Sequence, residues 1–336
     1  MRKIWIIGCL WSLTGCLWAQ DIHWSQFNWS PLNLNPALTG NFDGRWRFTG
    51  NYKDQWRAVS RPFQTIGISV DSRDFLNARN MNLGLLFYHD IAGTSKFKTV
   101  NIGIPFSYRI GLGRDSVHCI HLGFIPSFQQ QSLDPSALTF DDQFNGWRYD
   151  PQRTSRDAYL IADKNSLVNF GAGITYTHQS KKGWSLMVGY GAQNITNPHL
   201  RWMLGENAKL WRRDNFHAFA YLPVGKRWFL TPSAVYSKQG KASELLAGSE
   251  INMLLDHHRY RYRAVFLGAF TRFSDAYIGV AGFYYNSWRF GVSYDINASP
   301  FVAATNMRGG IEFSVIYILR ELLPGRDNFK YCPVFL

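Results

Sequence analysis

Beyond its first twenty residues this sequence has no long apolar run, and helical membrane spans, which need about 20 consecutive apolar residues, are therefore excluded. Charge is scarce as well. Asp, Glu, Lys and Arg make up 18% of the 336 residues against 16% for Phe, Tyr and Trp, which is the reverse of the balance in a disordered chain. Cysteine, at 4 per chain, is too rare for a disulfide scaffold, and no Cys-x-x-Cys or Cys/His set stands at zinc spacing. The glycines follow no three-residue period, which excludes collagen. Motifs for acyl transfer, phosphate binding and zinc proteolysis (G-x-S-x-G, G-x-x-x-x-G-K-[ST], H-E-x-x-H) are all missing. His257-His258 beside Asp256 reads as a solvated turn. The acids of the longest loop (Asp134, Asp141, Asp142, Asp150, Asp157, Asp163) lack the Asp-x-Asp-x-Asp-Gly order of a calcium loop. The reading is therefore of a non-enzyme, with no catalytic residue, no metal and no cofactor.

What the chain does have begins with a leader. Met1-Arg2-Lys3 followed by apolar Ile4 to Leu13 has the layout of an export signal. Two cleavage readings stand. Leu17-Trp18-Ala19 before Gln20 is an ordinary site and is preferred, giving a signal peptide over residues 1–19; Leu13-Thr14-Gly15-Cys16 resembles a lipobox. Cys9 and Cys16 fall in the leader. Cys119 and Cys332 then remain, and a disulfide between them is chemically allowed outside the cytosol. Loss of Arg2 and Lys3 lowers the formal charge of +13 by two.

The mature chain alternates with period two in stretches of about ten residues, which suits a tilted membrane-spanning strand and exceeds the usual sandwich strand. Val168, Phe170, Ala172, Ile174 and Tyr176 are the first example, set against small or polar neighbours. Trp184 to Gln193 and Val100 to Tyr108 behave alike. Such stretches fall near 45–53, 63–71, 81–90, 98–110, 117–129, 166–178, 183–194, 213–221, 226–238, 243–255, 259–271, 275–285, 287–296 and 307–319. Connections after odd stretches are mostly long (130–165, 195–212) and those after even ones short, except that 239–242 and 272–274 are short where length is expected. Long loops on one rim and short turns on the other are how outer-membrane barrels are built. The fold class is thus all-β, a transmembrane antiparallel barrel of about 14 strands over residues 45–319, with Tyr108, Trp184, Trp228 and Trp288 as interfacial girdles. Residues 20–44 form an N-terminal periplasmic or lumenal segment, and 320–336 a C-terminal tail.

Arg or Lys facing lipid at mid-membrane costs ~2–4 kcal/mol. Arg45, Arg47 and Lys53 in the first stretch and Arg259, Arg261 and Arg263 in the eleventh are therefore expected to face the lumen or a rim. Lumenal acids Asp71, Glu250, Asp295 and Glu312 would pair with such cations. The positive balance reads as a basic interior and not as a nucleic-acid surface.

Gln20-Asp21-Ile22-His23-Trp24-Ser25-Gln26-Phe27 and Pro31-Leu32-Asn33-Leu34-Asn35-Pro36-Ala37-Leu38-Thr39-Gly40-Asn41-Phe42 resemble the N-terminus of the PorP/SprF family of the Bacteroidetes type IX secretion and gliding machinery. Tyr52-Lys53-Asp54-Gln55-Trp56-Arg57, Gly291 to Asn297, Gly309 to Ser314 and the Cys332-Pro333-Val334-Phe335 ending continue the likeness. The resemblance implies an outer-membrane barrel without enzymatic activity, whose partners are other type IX components, secreted proteins with C-terminal sorting domains, and outer-membrane lipid. Within Asn35, Pro36, Ala37, Leu38, Thr39, Gly40, Asn41 and Phe42, the stretch from Asn35 to Gly40 reads as one helical turn, capped by Asn35 and stopped by Gly40. They are either part of a plug or a partner-binding segment. The alternative function is a channel for small hydrophobic or anionic solutes.

Overall fold

A computed structural model describes residues 21–320 apart from 56, 58–61, 94, 114–116, 151, 154, 156–160, 203–207, 259–260 and 300–301. The leader with its two cleavage readings, the tail 321–336 with Cys332, and Arg259 and Asp157 lie outside the described residues. Seventeen strand segments follow in chain order. They are β1 (Trp46–Gln55), β2 (Phe63–Ser72), β3 (Met81–Ala92), β4 (Phe97–Gly103), β5 (Phe106–Leu112), β6 (His118–Ser132), β7 (Lys164–Gln179), β8 (Ser185–Gln193), β9 (His199–Leu200), β10 (Ala208–Lys209), β11 (Arg213–Val224), β12 (Trp228–Gln239), β13 (Ala242–His258), β14 (Arg261–Arg272), β15 (Ala276–Tyr285), β16 (Trp288–Asn297) and β17 (Arg308–Leu319).

β9 and β10 pair only with each other, inside a loop. β4 and β5 are two halves of one stave, both pairing with β3 and β6. The break falls at Ile104-Pro105, because proline has no N–H to give the ladder. The Pro105 carbonyl still accepts from Gly84 N at 2.7 Å. Fourteen antiparallel staves result, each beside its sequence neighbour, and β1 pairing with β17 closes the barrel. Closure leaves no unpaired edge, which hydrocarbon would not tolerate.

Burial is inverted relative to a water-soluble protein. In β2, Ile66 and Ile68 are exposed while Thr65, Ser69 and Asp71 are buried; in β16, Phe290, Val292, Tyr294 and Ile296 are exposed while Ser293 and Asp295 are buried. The exposed apolar phase is the lipid face and the buried polar phase is the lumen. One rim carries 133–163 and 194–212, the other the turns 180–184, 225–227 and 286–287. By the loop-length rule the first is the cell-surface rim and the second the periplasmic rim. Tyr108, Trp184, Trp228 and Trp288 stand exposed at the periplasmic ends of their staves.

The lumen is filled by residues 21–44. Three short helical turns, Phe27–Trp29, Pro31–Leu34 and Pro36–Leu38, run through it. Phe27, Trp29, Leu34, Leu38 and Phe42 join lumenal wall residues such as Phe266, Phe270, Ile278 and Ile316 in one apolar cluster. This cluster is the core of the molecule. At its start the segment touches the surface-side ends of staves, where Asp21 meets Gln239 and Asn194. At its end Gly40 and Phe42 bond to Asp71 and Arg73 at the periplasmic rim. The segment therefore spans the full height of the lumen before turning into β1.

Candidate functional site

The lower half of the plug is held by backbone-directed bonds. Asn35 caps the turn Pro36–Leu38, its Oδ1 accepting from Ala37 N at 2.9 Å, as its place before Pro36 leads one to expect. Its Nδ2 donates into the wall, with Thr175 Oγ1 and the Tyr190 carbonyl both at 3.1 Å. The wall admits the turn only because Gly123 and Gly173 lack side chains. A Cβ on Gly123 would collide with the Pro36 and Ala37 backbone, and one on Gly173 with Asn35. Gly40 sits at φ +68°, in the left-handed region, and donates to Asp71 Oδ2 at 2.7 Å. Arg47 clamps the same carboxylate from the wall through Nε (2.9 Å) and Nη2 (2.7 Å), and Nη2 also donates to the Leu38 carbonyl at 3.0 Å.

A second polar knot ties the plug near the surface rim. Glu312 accepts from Ser25 N at 2.8 Å and Gln26 N at 3.0 Å, and Asp295 accepts from Ser25 Oγ at 2.7 Å. Lys53 donates to the His23 carbonyl at 2.9 Å and lies 4.0 Å from Glu312. Arg272 reaches Glu244 at 3.1 Å, Asp295 at 3.3 Å and Ser25 Oγ at 3.0 Å. These charges are removed from water, so they persist only because each is paired and further hydrogen-bonded.

The expected site residues separate into groups. Asn35 to Phe42 are all buried and lie together against the lumenal wall; Arg47 and Lys53 are lumenal. Arg45 sits at the periplasmic rim, its Nη2 bonded to Asn77 Oδ1 at 2.9 Å. Arg261 and Arg263 take the rim and not the lumen. They are exposed on the outward phase of β14, with Arg263 5.1 Å from the Tyr285 ring centroid, while Ala264, Phe266 and Phe270 face inward. Here the lumenal phase is the apolar one, since it packs on Phe27 and Trp29 of the plug. An arginine at the headgroup level costs only about 0–1 kcal/mol. Arg272 and Arg289 carry lumenal charge that the sequence reading missed, and Arg272 was hidden by sharing that apolar phase.

Between plug and wall, in the periplasmic half, lies a partly open cleft with a cavity volume of about 60 Å³. Phe27, Trp29, Phe219 and Tyr284 give it aromatic walls. Arg289 stacks over Tyr284 at 4.4 Å and Trp29 at 5.7 Å. Arg47 Nη1 and Ser233 Oγ, both lining the cleft, have no hydrogen-bond partner. Among the described residues no group of three or more His, Cys, Asp or Glu side chains is placed to hold a metal.

The sequence pattern of the family described as type IX secretion system membrane protein PorP/SprF matches residues 17–317. The chain belongs to that family. No curated protein matches it. Among solved structures this PorP/SprF barrel is similar to the toluene transporter TbuX of Ralstonia pickettii, with TM-score 0.52 and 8% identity over 86% of this chain and 92% of that one. It is likewise similar to the monoaromatic hydrocarbon channel CymD, with TM-score 0.50 and 9% identity over 87% and 93%. At such identity the likeness speaks for the fold alone, a closed outer-membrane barrel. Family and fold together make the protein an outer-membrane component of type IX secretion.

Proposed function

We propose that this PorP/SprF barrel acts as a docking component, holding secreted cargo or periplasmic parts of the apparatus at the outer membrane, and that it catalyses no reaction. The observation that carries this reading is the plug. A lumen crossed from rim to rim by residues 21–44, and tied at both ends by buried ion pairs, is a poor conduit. A solute channel would need that segment to leave, at the cost of exposing the apolar cluster around Phe27, Trp29 and Phe42.

The test is affinity purification of the full-length barrel from its native outer membrane, with planar-bilayer conductance measured on the same preparation. Co-purification of apparatus components or sorting-domain cargo, with conductance near the background of the bilayer, is expected. A deletion strain that secretes such cargo and spreads normally, with no paralogue substituting, would overturn the reading. So would porin-like conductance from the intact barrel.

A further inference from the structure

The two rims of this barrel differ in the balance of their charges. Around the periplasmic rim, from the β7–β8 turn to the start of β16, stand Lys181, Lys182, Lys226, Arg227, Arg261 and Arg263, all exposed, with Arg289 just inside the lumen. Asp256 is the single carboxylate in that arc among the described residues. Lys182, Lys226, Arg227, Arg261 and Arg263 have no ion-pair partner among the described residues. The surface rim is mixed in sign, its loops and stave ends carrying Asp134, Asp141, Asp150 and Asp163 as well as cations such as Lys96, Arg148, Lys164 and Arg212.

The aromatic cleft lies against the same arc of wall. Its lining includes Phe219 on β11 and Ser233 on β12, the staves joined by the Lys226-Arg227 turn, then Glu250 on β13 and Tyr284 on β15, and Arg289 stands at the periplasmic end of the lining. Like charges gathered on neighbouring turns repel one another until an opposite charge arrives, so such an arc selects and steers an acidic partner. The cleft adds a different requirement. Aromatic walls take an apolar side chain, and the unpartnered Arg47 Nη1 and Ser233 Oγ call for an acceptor beside it.

We infer that the basic arc and the cleft form one docking surface for an acidic protein segment that inserts an apolar side chain from the periplasm. The inference rests on the docking function proposed above and names the chemistry of the partner. Two features with separate physical origins coincide along the staves from β11 to β16. The outward girdle residues Trp184, Trp228 and Trp288 fix the arc just beyond the lipid, within reach of a periplasmic protein.

A photo-crosslinking amino acid placed at Lys226 and, in a second strain, at Phe219 tests this in native cells with the full-length chain. Adducts are mapped by mass spectrometry. Both positions are expected to trap the same acidic segment, with an apolar residue of that segment joined to position 219. The variant K182E/K226E/R227E should cut adduct yield at position 219 at least tenfold, while K182R/K226R leaves it unchanged. Fold-dependent migration of the unboiled barrel on a gel checks that each variant has folded. Adducts to phospholipid alone, or to residues 321–336 of the same chain, would overturn the inference, as would yields insensitive to charge reversal. Should apparatus components still co-purify while neither position gives an adduct, the docking function stands and this surface is wrong.

Discussion

Asp71→Ala is the sharpest probe of how the plug is held. The Asp71 carboxylate is fully buried and takes three bonds, two from Arg47 and one from Gly40 N. Arg47 is equally buried, so removing the carboxylate leaves a guanidinium without its counter-charge and the plug without an anchor at Gly40. Breaking one side of a buried pair costs ~3–5 kcal/mol, which at ~1.4 kcal/mol per decade is roughly 140- to 3,700-fold in the folding equilibrium. Urea unfolding in phospholipid vesicles, followed by tryptophan fluorescence, measures it. The double variant Arg47→Met/Asp71→Leu removes both charges, so it should lose mainly the two plug bonds at Gly40 N and the Leu38 carbonyl, at about 1–3 kcal/mol each. The single variant is thus expected to be the less stable of the two, or at most equal to the double. If Asp71→Ala unfolds at the wild-type midpoint, or stands clearly above the double variant, the pair is not what fastens the segment.

Other expectations follow from the same contacts. Gly123→Val drives a side chain into the Pro36-Ala37 backbone, an overpacking worth about 1–3 kcal/mol, and should raise protease cleavage within residues 35–40; Gly279→Ala, with nothing within 4 Å of the new methyl, should be silent in the same assay. Asn35→Ala removes the cap and the bonds to Thr175 and Tyr190, so amide exchange at Ala37 to Thr39 should quicken at least tenfold, given a cap worth ~1 kcal/mol and buried acceptors left bare. Cys119 is disulfide-bonded, and the other cysteines, Cys9, Cys16 and Cys332, lie outside the described residues. With the leader removed, non-reducing peptide mapping is expected to show Cys119 joined to Cys332; a free thiol at either position refutes it.

The staves were legible in the sequence because lipid imposes a strict rule on every other residue, and the fourteen alternating stretches correspond one for one to the fourteen staves. Their ends were less so. β6 runs on to Ser132 and β13 to His258, beyond the expected 129 and 255, since strand that projects past the bilayer has no lipid face to enforce alternation. The interruption at Pro105 was visible as a residue but not as a break, because Pro105 falls on the small and polar phase of its stretch.

The phase of β14 exposes the limit of reading lumen from polarity. A strand's polar side is its lumenal side only where water or polar groups fill the lumen. Opposite β14 the filling is Phe27 and Trp29, so Phe266 and Phe270 turn inward to meet them and Arg261 and Arg263 are left to the headgroup rim. Opposite β1 and β17 near the surface rim the filling is the Ser25-Gln26 backbone, and there Lys53 and Glu312 do turn inward. One segment, apolar in one place and polar in another, thus decides the facing of both walls. Changing Phe27 and Trp29 to serine should therefore destabilise β14 and β15 far more than β1 and β2. Local amide exchange resolved by stave would measure that asymmetry, and equal loss across the barrel would show that the walls hold their phase without the plug.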